Sequence, residues 1–328
     1  MKIQHICLAN RYVDNYGYQE NIMTKHQALK GEKVYIIAST ETYINNTDIG
    51  YLKPSSYFTE FNVPITRLPY RFILTRFITK KLRLYKGLKI ELYNFKPDII
   101  FIHGHHFLSI YEIKQYAKKH FNVKIYVDSH SDSVNCAKTW LSKYILHKII
   151  YKWCAKIIEP YVDKFYGTLP IRCDFLHTMY GIPKEKIEYL PLGYDDTGFD
   201  LNNKDDIKNR VRSNLGLKKE DFVIVTGGRI EKRKCIIELM SFIKNRPKIN
   251  LVIFGSVTNE IKDAFDYYLI YKNIFYIGWL EPEKVYDYFI MADLVVFPGT
   301  HSVLWEQAAA TGTQCIFGRM ICNDDIFL

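Results

Sequence analysis

The chain has 328 residues, a length that exceeds one small core and suits two domains of roughly 100 to 200 residues each, with a cleft expected between them. Its composition, 48% apolar and 24% charged, is that of a protein that folds in water. No apolar run approaches the roughly 18 residues that a membrane-spanning helix needs. Lys plus Arg exceed Asp plus Glu by 45 to 35, a formal charge of +10, which favours nucleic acid, anionic membrane or phosphorylated small molecules as partners without choosing among them.

In chain order, Lys2 and a short apolar stretch come first. Gln4 and His5 interrupt that stretch and no small-residue cleavage site follows, so Ile3 to Ala9 is predicted as a strand and not as part of a secretory signal. A helix is predicted from Tyr18 to Lys30, stopped by Gly31. Further strands are predicted at Lys33 to Ala38, Asp98 to His103, Val123 to Asp128, Phe222 to Thr226, Asn250 to Phe254, Ile274 to Gly278 and Leu294 to Pro298. Short Ile, Val and Phe runs alternating with helical patterns predict an α/β protein with doubly wound parallel sheets.

The pattern breaks around Pro191-Leu192-Gly193-Tyr194-Asp195-Asp196, and Asp200 to Asp206 is polar. The predicted division is therefore an N-terminal domain over residues 1–195 and a C-terminal domain over residues 196–328. Each half has a Gly-containing turn after its first strand, Asn15-Tyr16-Gly17-Tyr18 and Gly227-Gly228-Arg229. Doubly wound sheets bind ligands beyond the carboxyl ends of their strands.

Seven cysteines (Cys7, Cys136, Cys154, Cys173, Cys235, Cys315, Cys322) form no Cys-x-x-Cys pair. Free thiols in a reducing cytoplasm are expected, not a disulfide framework or a zinc site. His103-Gly104-His105-His106 has no carboxylate or Cys at ligand spacing, so no metal site is expected there. Two readings stand: His105 lines the cleft on the acceptor side, or these are strand-end histidines hydrogen-bonded to loops. Asp128-Ser129-His130-Ser131-Asp132 has neither the Asp-x-Asp metal spacing nor a Gly-x-Ser-x-Gly elbow. Its place at a strand's carboxyl end suits cleft residues. From Arg67 to Lys89, cations alternate with Tyr70, Phe72, Phe77 and Tyr85. That mixture suits either a surface on anionic lipid or an ordinary amphipathic helix with a solvated basic face. No nucleic-acid module accompanies the charge.

Two segments carry the chemistry. Val223 to Arg229, followed by Lys232, Arg233 and Lys234, is a strand that ends in two glycines and several cations, with a helical pattern beginning near Lys234. Glycines admit phosphate to the backbone, a helix start offers free N–H groups, and Arg with Lys neutralises a diphosphate. The same residues also suit a tight turn with solvated cations. Met291 to Gly312 is a strand, a short loop and a small-residue helix whose early turns carry Glu306, an acid able to accept hydrogen bonds from ribose hydroxyls or simply to favour the helix start.

Taken together, Gly17-Tyr18-Gln19-Glu20, the Pro97-Asp98-Ile99-Ile100 strand ending in histidines, Asp128-Ser129-His130, Leu190-Pro191-Leu192-Gly193, Gly228-Arg229 with Lys234, Phe254-Gly255, Ile277-Gly278-Trp279 and Trp305-Glu306-Gln307-Ala308 resemble, in order, the retaining, metal-independent glycosyltransferases of family 4. The resemblance implies the GT-B fold, two Rossmann-like domains facing across a cleft. It implies that Gly17 and Gly228 touch donor phosphates, that Arg229 and Lys234 bind the diphosphate and stabilise the leaving group, that Glu306 holds the ribose, and that His130 lies near donor sugar and acceptor. His130, Arg229 and Lys234 are the implied catalytic residues.

In two places the sequence departs from the family. A second glutamate, eight positions before the one matched by Glu306, is replaced by Pro298, leaving Thr300, His301 or Ser302 to meet the donor sugar. The chain also stops soon after Cys315-Ile316-Phe317-Gly318, so the second domain is expected to be incomplete. The resulting expectation is a cytoplasmic glycosyltransferase, peripheral at the inner face of the cell membrane. It would move a hexose with retention from a UDP- or GDP-linked sugar to a saccharide or lipid-linked saccharide in surface-polysaccharide assembly, such as lipopolysaccharide or capsule. The nucleotide sugar would be a co-substrate, with no cofactor and no nucleic-acid partner. A sugar-nucleotide epimerase and a non-catalytic nucleotide-sugar-binding relative are the alternatives.

Overall fold

The structure is a computed structural model that describes residues 1–44, 48–71, 75–133, 136, 139–197 and 201–318. Phe72, Asp200 and Cys322 lie outside the described residues. The chain divides into two compact units: Met1–Asp14, Gln19–Ile44 and Ile49–Pro191 form the first, and Leu192–Leu328, with Asn15–Tyr18 and Asn45–Asp48, form the second. The break at Pro191 falls at the start of the segment where the sequence pattern fails. Among the described residues no helix is long and apolar enough to cross a membrane.

The strands of the first unit are β1 Lys2–Cys7, β2 Lys33–Ser39, β3 Glu41–Ile44, β4 Asp48–Tyr51, β5 Ser55–Phe58, β6 Pro64–Leu68, β7 Ile99–His103, β8 Lys124–Ser129, β9 Lys164–Gly167 and β10 Ile187–Tyr189. Eight of them form one sheet in the order β10-β9-β8-β7-β1-β2-β6-β5, parallel except where β5 meets β6. Its helices are α1 Gln19–Leu29, α2 Arg76–Leu82, α3 Leu88–Phe95, α4 Ile110–Ala117, α5 Lys152–Ile158 and α6 Pro170–Tyr180. A π-helix, Ser142–Tyr151, runs directly into α5. The sequence order leaves β1 in both directions, so the topological switch lies between β1 and β7.

The second unit has strands β11 Phe222–Ile230, β12 Ile249–Val257, β13 Ile274–Tyr276, β14 Leu294–Phe297 and β15 Cys315–Phe317. Its helices are α7 Lys204–Asn214, α8 Ile236–Ile243, α9 Lys262–Tyr268, α10 Pro282–Met291 and α11 Leu304–Ala310. The sheet order is β13-β12-β11-β14-β15, all parallel, with the switch between β11 and β14. Alternate strand residues enter opposite cores. Val223, Val225, Val252, Phe254, Val295 and Phe297 pack on one face, and Ile224, Leu251, Ile253 and Val296 on the other. This is why these strands read as continuous apolar runs: both faces are covered by helices.

Two expectations are corrected here. Gly227-Gly228-Arg229 is not a turn, because β11 continues through Ile230 with Gly228 opposite Gly255 on β12. Gly228 (φ 102) and Gly255 (φ 116) adopt backbone that side chains disfavour, and a Cβ on Gly255 would lie 1.9 Å from the Gly228 carbonyl oxygen. Two glycines therefore let the paired strands extend beyond the apolar run. The turn comes later, as a 3-10 turn over Lys232–Lys234, and α8 starts only at Ile236.

The segment from Arg67 to Lys89 is also not one amphipathic helix. Arg67 lies on β6 and is buried against Asp14, while Tyr70 and Tyr85 are buried and stacked on each other.

Candidate functional site

At the carboxyl end of the second sheet, Thr226, Gly227, Lys234, Ile236, Phe297, Pro298, Gly299, Thr300 and Ser302 line a small, partly open pocket. It lies beside β11 and β14, the adjacent strands from which the chain leaves in opposite directions. Doubly wound sheets have a crevice there because the helices on either side diverge. The pocket is closed on one side by a tight backbone approach. Thr300 N–H donates to the Arg233 carbonyl at 3.1 Å, and a Cβ on Gly299 would fall 2.3 Å from that carbonyl oxygen.

Lys234 reaches across the same junction, donating from Nζ to the Thr300 carbonyl at 2.7 Å and the His301 carbonyl at 2.9 Å. His301 in turn donates from Nε2 to Glu306 Oε1 at 2.8 Å. The other oxygen, Glu306 Oε2, is buried without a hydrogen-bond partner among the described residues, and so are the hydroxyls of Thr226 and Thr300. A buried polar atom left unpaired costs about 1–3 kcal/mol, so each of these favours a ligand or water that can complete it.

Arg229, at the end of β11, is more exposed and stands 4.0 Å from the Glu231 carboxylate, which also accepts from Arg233 Nε at 2.6 Å. Glu231 thus holds two guanidinium groups near one strand end. Gly228 faces the start of α11, since a Cβ there would lie 2.8 Å from Leu304 Cδ1. Lys234, His301, Ser302 and Glu306 are therefore joined in one constellation, with Gly228 and Arg229 at its edge. Gly17 belongs to Asn15–Tyr18, the short stretch counted with this unit. Pro298, in the place of the family's second acid, is part of the pocket wall and offers no carboxylate.

In the first unit, the carboxyl ends of β1, β7 and β8 gather a buried polar chain. His103 Nδ1 meets Asp128 Oδ2 at 2.9 Å, His103 Nε2 meets His5 Nδ1 at 2.9 Å, and His5 Nε2 meets Gln27 Oε1 at 2.7 Å. Both ends are acceptors, so two rings must supply three N–H groups. One ring is therefore an imidazolium. Burial and the neighbouring His103 lower the His5 pKa to about 3, which keeps that ring neutral. Burial opposes a charge on His103 too, but the Asp128 carboxylate outweighs it and raises the His103 pKa. Of the two rings, His103 is the one whose charge its surroundings favour.

His130, only partly exposed, has Nε2 3.6 Å from the same Asp128 oxygen. Two imidazoles thus share one carboxylate, and together they pull the Asp128 pKa well below the ordinary range against the cost of its burial. Glu20 on α1 feels both histidines, although burial still raises its own pKa.

His105, named as an acceptor-side residue, is instead fully enclosed. Its ring packs edge-on against Tyr180 at 4.5 Å, and burial followed by His147 lowers its pKa to about 3. The reason is the turn after β7: Gly104, at φ 83, folds the chain back so that His105 and His106 point into the core beside Tyr151 and Tyr180.

The sequence assigns no individual role to Thr226, Glu231 or Gly299, and it points to neither His5 nor Gln27. Thr226 and Gly299 lie within the two segments that carry the chemistry, but only the fold shows that they line the pocket. His5 and Gln27 carry no local signal, because only strand order brings them to His103.

Residues 207–316 match the family of glycosyl transferases group 1. They form a glycosyl transferases group 1 domain. This glycosyl transferases group 1 domain includes Arg229, Lys234, the pocket and Glu306. Alpha-galactosylglucosyldiacylglycerol synthase of Streptococcus pneumoniae is 24% identical over 183 residues, which are 52% of this chain and 48% of that protein. The chain thus matches about half the length of this curated relative.

Among solved structures, sucrose-phosphate synthase from Thermosynechococcus elongatus superposes with a TM-score of 0.65 at 17% identity, covering 96% of this chain and 80% of that one. The catalytic domain of starch synthase IV from Arabidopsis thaliana, bound to ADP and acarbose, gives 0.65 at 14% identity, covering 100% and 86%. At such identities the likeness establishes the fold, which is GT-B.

Proposed function

We propose that the chain is a glycosyltransferase that moves a hexose, with retention and without a metal ion, from a nucleotide-diphosphate sugar to a saccharide or lipid-linked saccharide acceptor in surface-polysaccharide assembly. The observation that carries this reading is the switch-point pocket of the second unit, where the Lys234 ammonium stands with two buried hydroxyls, Thr226 and Thr300, that lack partners among the described residues. An ammonium and hydroxyl donors suit phosphate oxygens. Glu306 Oε2, an unpaired acceptor near the loop bound by Lys234, suits a ribose hydroxyl.

In this reading the bond from the anomeric carbon to the diphosphate oxygen breaks while the acceptor oxygen bonds to that carbon. The acceptor's proton leaves with the departing diphosphate. Arg229 and Lys234 stabilise the negative charge that develops there, which is the largest single lever such a site has. His130, held by Asp128, stands for the sugar end. The starch synthase domain and the S. pneumoniae glycolipid synthase support the donor class and the lipid-linked acceptor respectively.

The test is to incubate the protein with UDP- and GDP-linked hexoses in the presence of chelator. Nucleoside diphosphate release is measured with and without acceptor saccharides, and the anomeric configuration of the product is read by NMR. Acceptor-dependent release with a retained configuration is expected. Donor conversion to an isomeric nucleotide sugar without acceptor would identify an epimerase. Nucleotide binding without any turnover would identify a non-catalytic relative.

A further inference from the structure

The first unit presents an outward face that neither core nor candidate site accounts for. Along the π-helix Ser142–Tyr151 and α5, residues His147, Tyr151, Cys154, Ala155 and Ile158 turn inward and are buried. On the opposite side Trp140 is 69% exposed, Ile149 63% and Trp153 47%, with Leu141 and Tyr144 exposed as well. Lys143, Lys148, Lys152 and Lys156 are exposed on the same stretch. No acidic residue occurs between Asp132 and Glu159.

These side chains are organised with one another. The Trp140 and Tyr144 rings lie 5.6 Å apart, and the Lys148 ammonium stands 4.6 Å from the centre of the Tyr144 ring. Exposed apolar residues grouped in this way lose solvation energy in water and mark a surface that is covered in use. Tryptophan with a polar N–H, long aliphatic side chains and snorkelling lysines is the chemistry that rests in a headgroup layer.

We propose that this face docks on the surface of an anionic phospholipid bilayer. The aromatic and aliphatic side chains enter the headgroup boundary, while Lys143, Lys148 and Lys152 pair with lipid phosphates; Lys156 Nζ donates to the Gly181 carbonyl at 2.7 Å. Charge complementarity selects this occupant: an uninterrupted basic, aromatic face attracts an anionic surface. It also relocates the membrane contact, because the Arg67 to Lys89 segment turns Arg67, Tyr70 and Tyr85 inward. The inference stands apart from the transfer reaction, since vesicle binding is measured without any sugar.

The experiment is co-sedimentation of the full chain with phosphatidylcholine vesicles, with and without phosphatidylglycerol, across a salt series. Binding to the phosphatidylglycerol vesicles that weakens with salt is expected. The double variant Trp140→Ala, Trp153→Ala should partition at least about tenfold less. The double variant Lys148→Gln, Lys152→Gln should bind about tenfold less and with a shallower salt dependence. These are exposed positions, and unchanged circular dichroism would verify that each variant folds. A control, Arg71→Gln with Lys86→Gln and Lys89→Gln, should bind like the parent chain. Equal affinity for neutral and anionic vesicles, or no binding to either, would overturn the proposal. So would loss of binding in the control alone, or lysine variants that weaken binding to an oligonucleotide while leaving vesicle binding unchanged.

Discussion

His103 donates from Nδ1 to the Asp128 carboxylate across 2.9 Å, joining the carboxyl ends of β7 and β8, which pair at these two residues. The carboxylate stands between His103 and His130, and it favours a charge on His103.

The first expectation concerns that pair. His103 has a raised pKa, so its contribution to stability is full below its unfolded value near 6.5 and is lost as pH rises through the folded value. Asp128 has a depressed pKa, so its contribution is present above about 3.9 and is lost as pH falls. The pair stabilises most between about pH 4 and 6.5. Ring-proton NMR should show one buried histidine titrating above 6.5. Asp128→Asn should abolish that titration and cost about 3–5 kcal/mol, because it removes one partner of a buried pair.

A second cluster has the opposite sign. Burial lowers the pKa of His105 to about 3 and of His147 to about 4, and holds His106 well below its usual value. Each stays neutral when folded while the unfolded chain takes up protons below about 6.5. Stability should therefore fall by about 1.4 kcal/mol per pH unit for each group as pH drops towards 4. Urea unfolding at a series of pH values reads this slope. His147→Phe should flatten it, at the cost of the bond to Tyr180.

Arg229 and Lys234 should separate in their effects. Arg229→Ala removes an exposed guanidinium and should leave the melting temperature nearly unchanged while lowering donor turnover at least about a hundredfold. Lys234→Ala also removes two donors that fasten the loop at Thr300 and His301, so it should lose turnover and about 1–3 kcal/mol of stability. Parallel kinetics and thermal melts distinguish the two. An Arg229 variant that merely unfolds would remove the support for diphosphate binding.

Glu306→Gln keeps an acceptor for His301 but loses the carboxylate oxygen that has no partner among the described residues. Nucleoside diphosphate affinity should fall by about 1.5–3 kcal/mol, roughly ten- to a hundredfold, as measured by calorimetry. A change confined to protein stability would argue that Glu306 serves only the loop.

Gly299→Ala tests the shape of the pocket. Its Cβ would lie 2.3 Å from the Arg233 carbonyl oxygen and 2.5 Å from Lys234 Cα, backbone that cannot simply step aside. The variant should lose nucleotide binding and about 1–3 kcal/mol of stability.

The local features were legible in the amino-acid order. Eight strands of apolar residues were readable because a strand buried on both faces leaves an unbroken hydrophobic run, and their observed limits differ by a few residues at most, except where β11 and β12 run further. Lys234 and Glu306 were readable because a strand end, a turn and a helix start are neighbours in sequence. The short β9, β10 and β15 were not, since three or four residues carry too little period.

Tertiary structure alone decided the rest. Gly227 and Gly228 became strand because β12 runs on beside them, with Phe254 opposite Gly227 and Gly255 opposite Gly228, and Tyr70 and Tyr85 became core because they stack on each other. The charge on His103 depends on Asp128 and His5, residues brought to it by strand order. Periodicity is a property of neighbours along the chain, whereas burial, pairing and ionisation depend on neighbours in space.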